Sequence, residues 1–289
     1  MSMHLFGAVL TAKGTAANNR GENEGTVSTL QKIIRNGEIW TTVSAEAIRY
    51  ALREVWLEDP SAQVNRQVSH QGSAWADDTF QNCADYVDDD VLGFMRAGNE
   101  TISRRGVLEI TRAISTTPWN GDVTANFASP RANPAVTHGN PIPYAVEQHH
   151  TRYQYGFAMT PDSLLRDKAA RVEKTLLGLQ NLRRVAGNHA RFLFDFSPEI
   201  IVLRWTPDPA PRMLLCFDEG ERGRVSLKRL ARRLASDGRG DICASELTIG
   251  YAVDDVEGLA DLENLGATVL KGIKVAVAHV AEQVREHCK

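Results

Sequence analysis

Four cysteines in 289 residues, at positions 83, 216, 243 and 288, form no C-x-x-C pair and no zinc-ligand spacing, which argues against a disulfide scaffold or a structural metal. No stretch approaches the roughly 18 apolar residues of a membrane span. The opening Met1-Ser2-Met3-His4-Leu5-Phe6-Gly7 lacks a basic lead into an apolar run. A cytoplasmic protein without a membrane partner is expected. Net charge is scarce too: 33 Lys plus Arg against 36 Asp plus Glu leave -3, so binding to a polyanion would have to come from a local patch. Catalytic signatures are missing as well. There is no G-x-S-x-G elbow, no G-x-x-x-x-G-K-[ST] loop, no H-E-x-x-H and no dinucleotide fingerprint, and Gly14, Gly21 and Gly25 do not have the G-x-G-x-x-G spacing. A nucleotide-hydrolysing enzyme is disfavoured.

What the chain does have is 43% hydrophobic residues, enough for one large domain or two ordinary ones, and charge that is strongly zoned. Six aspartates and no basic residue lie between Asp77 and Asp90. From Arg222 to Arg239 seven cations stand against the single Asp237, and Asp241 to Glu263 is again purely acidic. Such zones suit surfaces that meet complementary surfaces; solvated loops and helix faces are the plainer alternative. The aspartates lack the D-x-[DN]-x-[DN]-G spacing of a calcium loop, so a solvated acidic loop is expected and no metal.

The pattern predicts an opening strand from Met3 to Thr11, then a mobile polar loop from Gly14 to Gly25. A short strand near Ile39 to Thr42 leads to a helix capped by Ser44, with Arg49 and Arg53 sharing its polar side. Residues 60–148 are the least regular and read as an insertion. Period-two alternation returns at Thr151 to Met159, where Tyr153, Tyr155 and Phe157 are either core or a base-stacking face, core being the commoner use. His149 and His150 are adjacent, so on a strand they face opposite ways and cannot share a metal. A helix opened by Pro161 runs to about Leu182, followed by a strand from Glu199 to Trp205 and another around Met213 to Phe217. A basic helix, a strand near Leu247 to Val253 and a last helix from about Leu259 to Glu286 complete the chain. Strand, helix, strands, helix, strand is an α+β order, that of a ferredoxin-like sheet with helices on one face.

Four stretches carry a resemblance to a known family. They are Phe6-Gly7-Ala8-Val9-Leu10 with the loop from Ala17 to Gly25; Val43-Ser44-Ala45-Glu46-Ala47-Ile48-Arg49-Tyr50 with Arg53; Tyr155-Gly156-Phe157; and Asn188-His189-Ala190-Arg191 with Phe194-Asp195-Phe196-Ser197-Pro198-Glu199. Together they resemble the DevR family of CRISPR-associated proteins, the backbone subunits of the type I surveillance complex called Cascade. The resemblance implies a modified RNA-recognition-motif palm in residues 1–59 and 149–289, an inserted finger domain in 60–148 and a thumb around 183–198. It implies a non-catalytic scaffold, several copies of which line one guide RNA (crRNA) beside other Cascade subunits and support its pairing with target DNA. Carried over to this sequence, the RNA contacts are Lys13, Asn18, Asn19, Arg20, Ser44, Arg49 and Arg53, with Asn188, His189 and Arg191 near the thumb. Related subunits cleave RNA with a palm-loop aspartate; the first loop here holds Glu22 and Glu24, and no aspartate precedes Asp59. No cofactor is implied. The rival readings are a metal-dependent endoribonuclease using Glu22, Glu24 or His189, and a transcriptional regulator.

Overall fold

The structure, a computed structural model, describes residues 2–17, 23–69, 72–98, 100–128, 141–186, 193–234 and 240–288. Its centre is a nine-stranded sheet: β1 (His4–Thr11), β2 (Lys32–Arg35), β3 (Glu38–Val43), β4 (Glu109–Ile110), β5 (Ala113–Ser115), β6 (Tyr153–Met159), β7 (Pro198–Thr206), β8 (Leu247–Tyr251) and β9 (Thr268–Lys271). The order is β9-β8-β7-β1-β6-β5-β3-β2, with β4 also paired to β6. Neighbours are antiparallel except β8 and β9. Among the described residues six helices surround it: α1 (Ala45–Leu57), α2 (Val87–Leu92), α3 (Lys168–Gln180), α4 (Lys228–Leu234), α5 (Leu259–Asn264) and α6 (Ile273–His287).

Side chains alternate across a strand, yet β1 and β7 are apolar at successive positions, so both of their faces need cover. Leu5, Val9, Ile201 and Leu203 join Tyr153, Tyr155 and Phe157 in one core under α1, α3 and α6. Phe6, Ala8, Leu10, Ile200 and Val202 point the other way, into a second core closed by α4 and α5. Helices therefore lie on both faces, which corrects the expectation of one covered face. The β6 aromatics are core, and no aromatic platform is left open on the central strands.

Ser44 caps α1 as expected, its Oγ accepting from the Ala47 N–H at 3.2 Å. Several other expectations are corrected. Gly14–Ala16 is not loop but a short strand paired with His149–Thr151, and Asn23–Glu24 pairs with Val27–Ser28. Within residues 60–148, α2 contributes Val87, Val91 and Leu92 to the first core, and β4 and β5 extend the sheet. The parts standing away from the sheet are the hairpins Arg66–Ser69/Gly72–Trp75, Gly93–Arg96/Ile102–Arg105 and Val123–Ala128/Ile142–Glu147. The helix expected from Pro161 opens as a single 3-10 turn and becomes α-helical only at Lys168. Met213 to Phe217 form no strand; Met213, Cys216 and Phe217 plug the second core from an irregular segment. The last helix is broken because Thr268–Lys271 pairs with β8, leaving α5 and α6 on opposite sides of the sheet.

Gly7 marks the closest approach in the sheet. A Cβ there would overlap the ring of Phe157, which pairs with it across β1 and β6 and has no free space to move into. Gly7→Ala is expected to cost about 1–3 kcal/mol by overpacking. Urea denaturation at neutral pH checks this, and an unchanged midpoint would contradict it.

Candidate nucleic-acid interface

Where β1 leaves the sheet, Lys13 starts the segment leading toward Asn18, Asn19 and Arg20, which lie outside the described residues. Lys13 Nζ is not open to solvent alone: it donates to Glu219 Oε1 at 2.7 Å. Glu219 also takes a hydrogen bond from the Thr116 hydroxyl and one from Arg152 at 3.4 Å, while Arg152 Nε pairs with Glu199 at 2.9 Å. Burial alone would raise the Glu219 carboxyl; the Lys13 ammonium, the Thr116 hydroxyl and Arg152 outweigh it and hold the group below its usual range. This hub ties the segment after β1 to the start of β6 and to the hairpin Asp218–Glu219/Val225–Ser226.

Beside it the two adjacent histidines diverge as their strand position requires, His149 buried and His150 exposed. His149 Nδ1 lies 2.8 Å from Thr41 Oγ1 and Nε2 3.3 Å from Thr117 Oγ1, and burial pushes its pKa down to about 4. Among the described residues no group of three His, Cys, Asp or Glu side chains is placed to hold a metal ion.

Arg49 and Arg53 do not form a free polar face on α1, because α2 and the strand after it cover them. The Arg49 guanidinium donates to the Leu92 carbonyl. Arg53 Nε is 3.5 Å from Asp88 Oδ2 in a pair whose side chains are 14% and 1% exposed. Burial lowers the pKa of both arginines, opposed by Glu46 for Arg49 and by Asp88 for Arg53. Asp88 also accepts from the backbone N–H groups of Asn65 and Arg66, at 2.8 and 3.1 Å. Asp90 accepts from Arg104 at 3.1 Å and from the Leu165 N–H at 3.0 Å, with Arg171 Nε at 3.6 Å. Asp88, Asp89 and Asp90 are thus buried, which overturns the solvated acidic loop for half of the six. A carboxylate survives burial only when it is paired or protonated, and here arginines from α1, α3 and the hairpin Gly93–Arg96/Ile102–Arg105 supply the pairing for Asp88 and Asp90.

Lys13 and Arg49 sit at opposite ends of β6. Lys13 is beside Arg152, whereas Arg49 lies against Gly106, next to the segment that pairs with Ala158. Six residues of strand separate those ends by about 20 Å. Of the site residues inferred from sequence, Lys13, Ser44, Arg49 and Arg53 are described and do not form one cluster; Asn188, His189 and Arg191 lie outside the described residues. Just past them, Leu193 is 83% exposed while Phe194 and Phe196 are buried. Phe194 meets Tyr153 edge-on at 5.6 Å, and Phe196 stacks on Tyr155 at 5.8 Å.

The charge zones meet within the chain. Arg224 pairs with Asp255 and Glu257 and Lys228 with Glu257 at 3.0 Å, so part of the basic run is matched by the acidic stretch after it, while Arg229 meets Asp218, before the run, at 3.5 Å. Zoning therefore gives no evidence of matching ends between separate molecules. Sequence reasoning missed the Glu219 hub, since no local pattern links positions 13, 116, 152 and 219. It also missed the buried aspartates, although Val87 before them and Val91-Leu92 after them were a usable sign of a short buried helix.

The family described as CRISPR-associated negative auto-regulator DevR/Csa2 matches residues 10–213. A protein of Myxococcus xanthus (strain DK1622) named CRISPR-associated protein Cas7/Cst2/DevR is 45% identical over 307 aligned positions, covering 100% of this chain and 98% of that protein. The chain belongs to the DevR family. Its fold recurs in a subunit of a CRISPR RNA-guided surveillance complex, at a TM-score of 0.59 and 17% identity over 97% of this chain and 99% of that one. It recurs again in a CRISPR RNA-guided surveillance complex in a pre-nicking state, at a TM-score of 0.63 and 11% identity over 97% and 100% of the two chains. For this DevR-family chain the α+β class with a large sheet stands.

Proposed function

We propose that this DevR-family chain is a non-catalytic backbone subunit of a type I CRISPR RNA-guided surveillance complex, Cascade, with copies lined along one guide RNA beside other subunits to support pairing with target DNA. Full-length membership of the DevR family carries the reading. The palm is assigned to residues 1–59 and 149–289, and the antiparallel order β7-β1-β6-β5, with α1 and α3 in the connections, supports a modified RNA-recognition motif there. The finger is assigned to 60–148, its projecting parts being the three hairpins, and the thumb to 183–198, anchored by Phe194 and Phe196.

A backbone subunit must accept any guide, so it holds phosphate and sugar and leaves sequence to base pairing. Burial of Tyr153, Tyr155 and Phe157 fits this, because the central strands then offer no rings on which bases could be read. The contacts are assigned to Lys13, Asn18, Asn19, Arg20, Ser44, Arg49, Arg53, Asn188, His189 and Arg191; of these, Lys13, Ser44, Arg49 and Arg53 also have structural partners that loss of the side chain would expose. Among the described residues no helix is long and apolar enough to cross a membrane.

The test is direct. RNAs of unrelated sequence should bind the purified chain within a few-fold of one another, with affinity falling steeply as salt rises, and labelled RNA should survive incubation with magnesium. Cleavage of that RNA would favour the endoribonuclease, and salt-resistant preference for one duplex DNA sequence the regulator.

A further inference from the structure

The hairpin that carries Glu219 turns through Gly220, Glu221, Arg222 and Gly223, closed by Gly220 N–H to Arg224 O at 2.8 Å and Gly223 N–H to Gly220 O at 3.2 Å. Arg222 occupies this turn with φ 61° and ψ 17°, a left-handed conformation that glycine or asparagine adopts far more readily. Eight other described non-glycine residues, Arg212 and Asp255 among them, also have positive φ, so the backbone alone assigns Arg222 no function and its surroundings must. The turn is fastened to the segment after β1: Lys13 Nζ lies 3.1 Å from where a Gly223 Cβ would stand, and Arg152 donates to the Gly223 carbonyl at 3.4 Å.

The cations around this turn differ in one respect. Lys13 is neutralised by Glu219, Arg152 by Glu199 and Glu219, Arg224 by Asp255 and Glu257, and Lys228 by Glu257. Arg222 is exposed and has no hydrogen-bond or ion-pair partner among the described residues. It lines a cleft of about 680 Å³ together with Arg152, Arg224 and Ser226, where Asp255 and Glu257 are already taken by Arg224 and Lys228. Of the described cations that line this cleft, the one without an acidic partner is thus Arg222, whose guanidinium is a planar donor suited to two oxygens of one phosphate.

We infer that Arg222 is a phosphodiester contact, extending the proposed RNA-binding surface from Lys13 onto the Gly220–Gly223 turn. The inference rests on the RNA-binding reading above. On it, Arg152 and Glu219 position the turn, Lys13 both fastens it and belongs to the proposed RNA surface, and Arg222 adds a further contact to the polyanion.

The experiment measures binding of a fluorescent single-stranded RNA of mixed sequence to the full chain across a salt series, for wild type, Arg222→Ala, Arg222→Lys, Arg222→Gly and a control, Arg105→Ala, at the far end of β6. Arg222→Ala is expected to weaken binding about 3- to 10-fold at low salt and to reduce the slope of log affinity against log salt by about 0.7, the share of one phosphate contact on a single strand. Arg222→Lys keeps most of the slope. Arg222→Gly separates strain from contact: it should melt no lower than wild type, because glycine suits the turn, yet bind like Arg222→Ala. If wild type binds and both Arg222→Ala and Arg222→Gly match it in affinity and slope, the inference is overturned while the RNA-binding reading survives. If wild type binds no RNA, the reading itself falls.

Discussion

Asp89→Asn should stabilise the chain at pH 8 by about 4 kcal/mol and leave it unchanged near pH 4, the converse of what losing a buried polar partner usually does. Burial, with Asp88 and Asp77 adding to it, raises the Asp89 carboxyl to about 7; only the Asn65 amide, donating at 2.7 Å, and the Arg53 charge oppose this. Its unfolded pKa is near 3.8. Between those values the folded chain binds more protons than the unfolded one, so this group's contribution falls as pH rises to about 7 and then levels off. His149 has the opposite sign. Its folded pKa is about 4 against an ordinary 6.5, so the stability it confers is complete above pH 6.5 and is lost as pH falls toward 4. The two slopes oppose each other in wild type, and Asp89→Asn should uncover that of His149. Urea denaturation at pH steps from 4 to 8.5 reads both effects. Parallel profiles for variant and wild type would show that Asp89 is ionised throughout.

Arg53→Ala is expected to destabilise the fold by about 3–5 kcal/mol, since it leaves Asp88 buried without its cation. The same substitution at a solvent-facing phosphate contact would cost well under 1 kcal/mol. Adding Asp88→Asn to Arg53→Ala should recover part of the loss, because the uncompensated charge goes while one oxygen remains to accept from the Asn65 N–H, although the Arg66 N–H loses its acceptor. Thermal and urea unfolding of the three variants measure this. A variant that unfolds like wild type and only binds RNA less well would return Arg53 to a purely RNA-binding role.

The sequence alone determined what depends on neighbours along the chain. Alternation in residues 153–159 and the run from Leu5 to Leu10 marked two central strands, and the Ser44 cap marked the start of α1, because strand period and helix capping are local geometry. Family membership was legible from motifs in order. The tertiary structure alone decided partnership, since charge in a sequence carries no address. Asp88 and Asp90 read as solvated until Arg53, Arg104 and Arg171 arrive from three other elements. Arg49 read as a free helix face until Leu92 covers it, and Lys13 as a free phosphate contact until Glu219, 206 residues away, receives it. Burying a charge is tolerable only with an opposite charge or a proton, and which of them is present depends on packing between segments far apart in the chain. For the same reason Arg222 looked like one of seven cations in a basic run and stands out only once the fold has paired its neighbours.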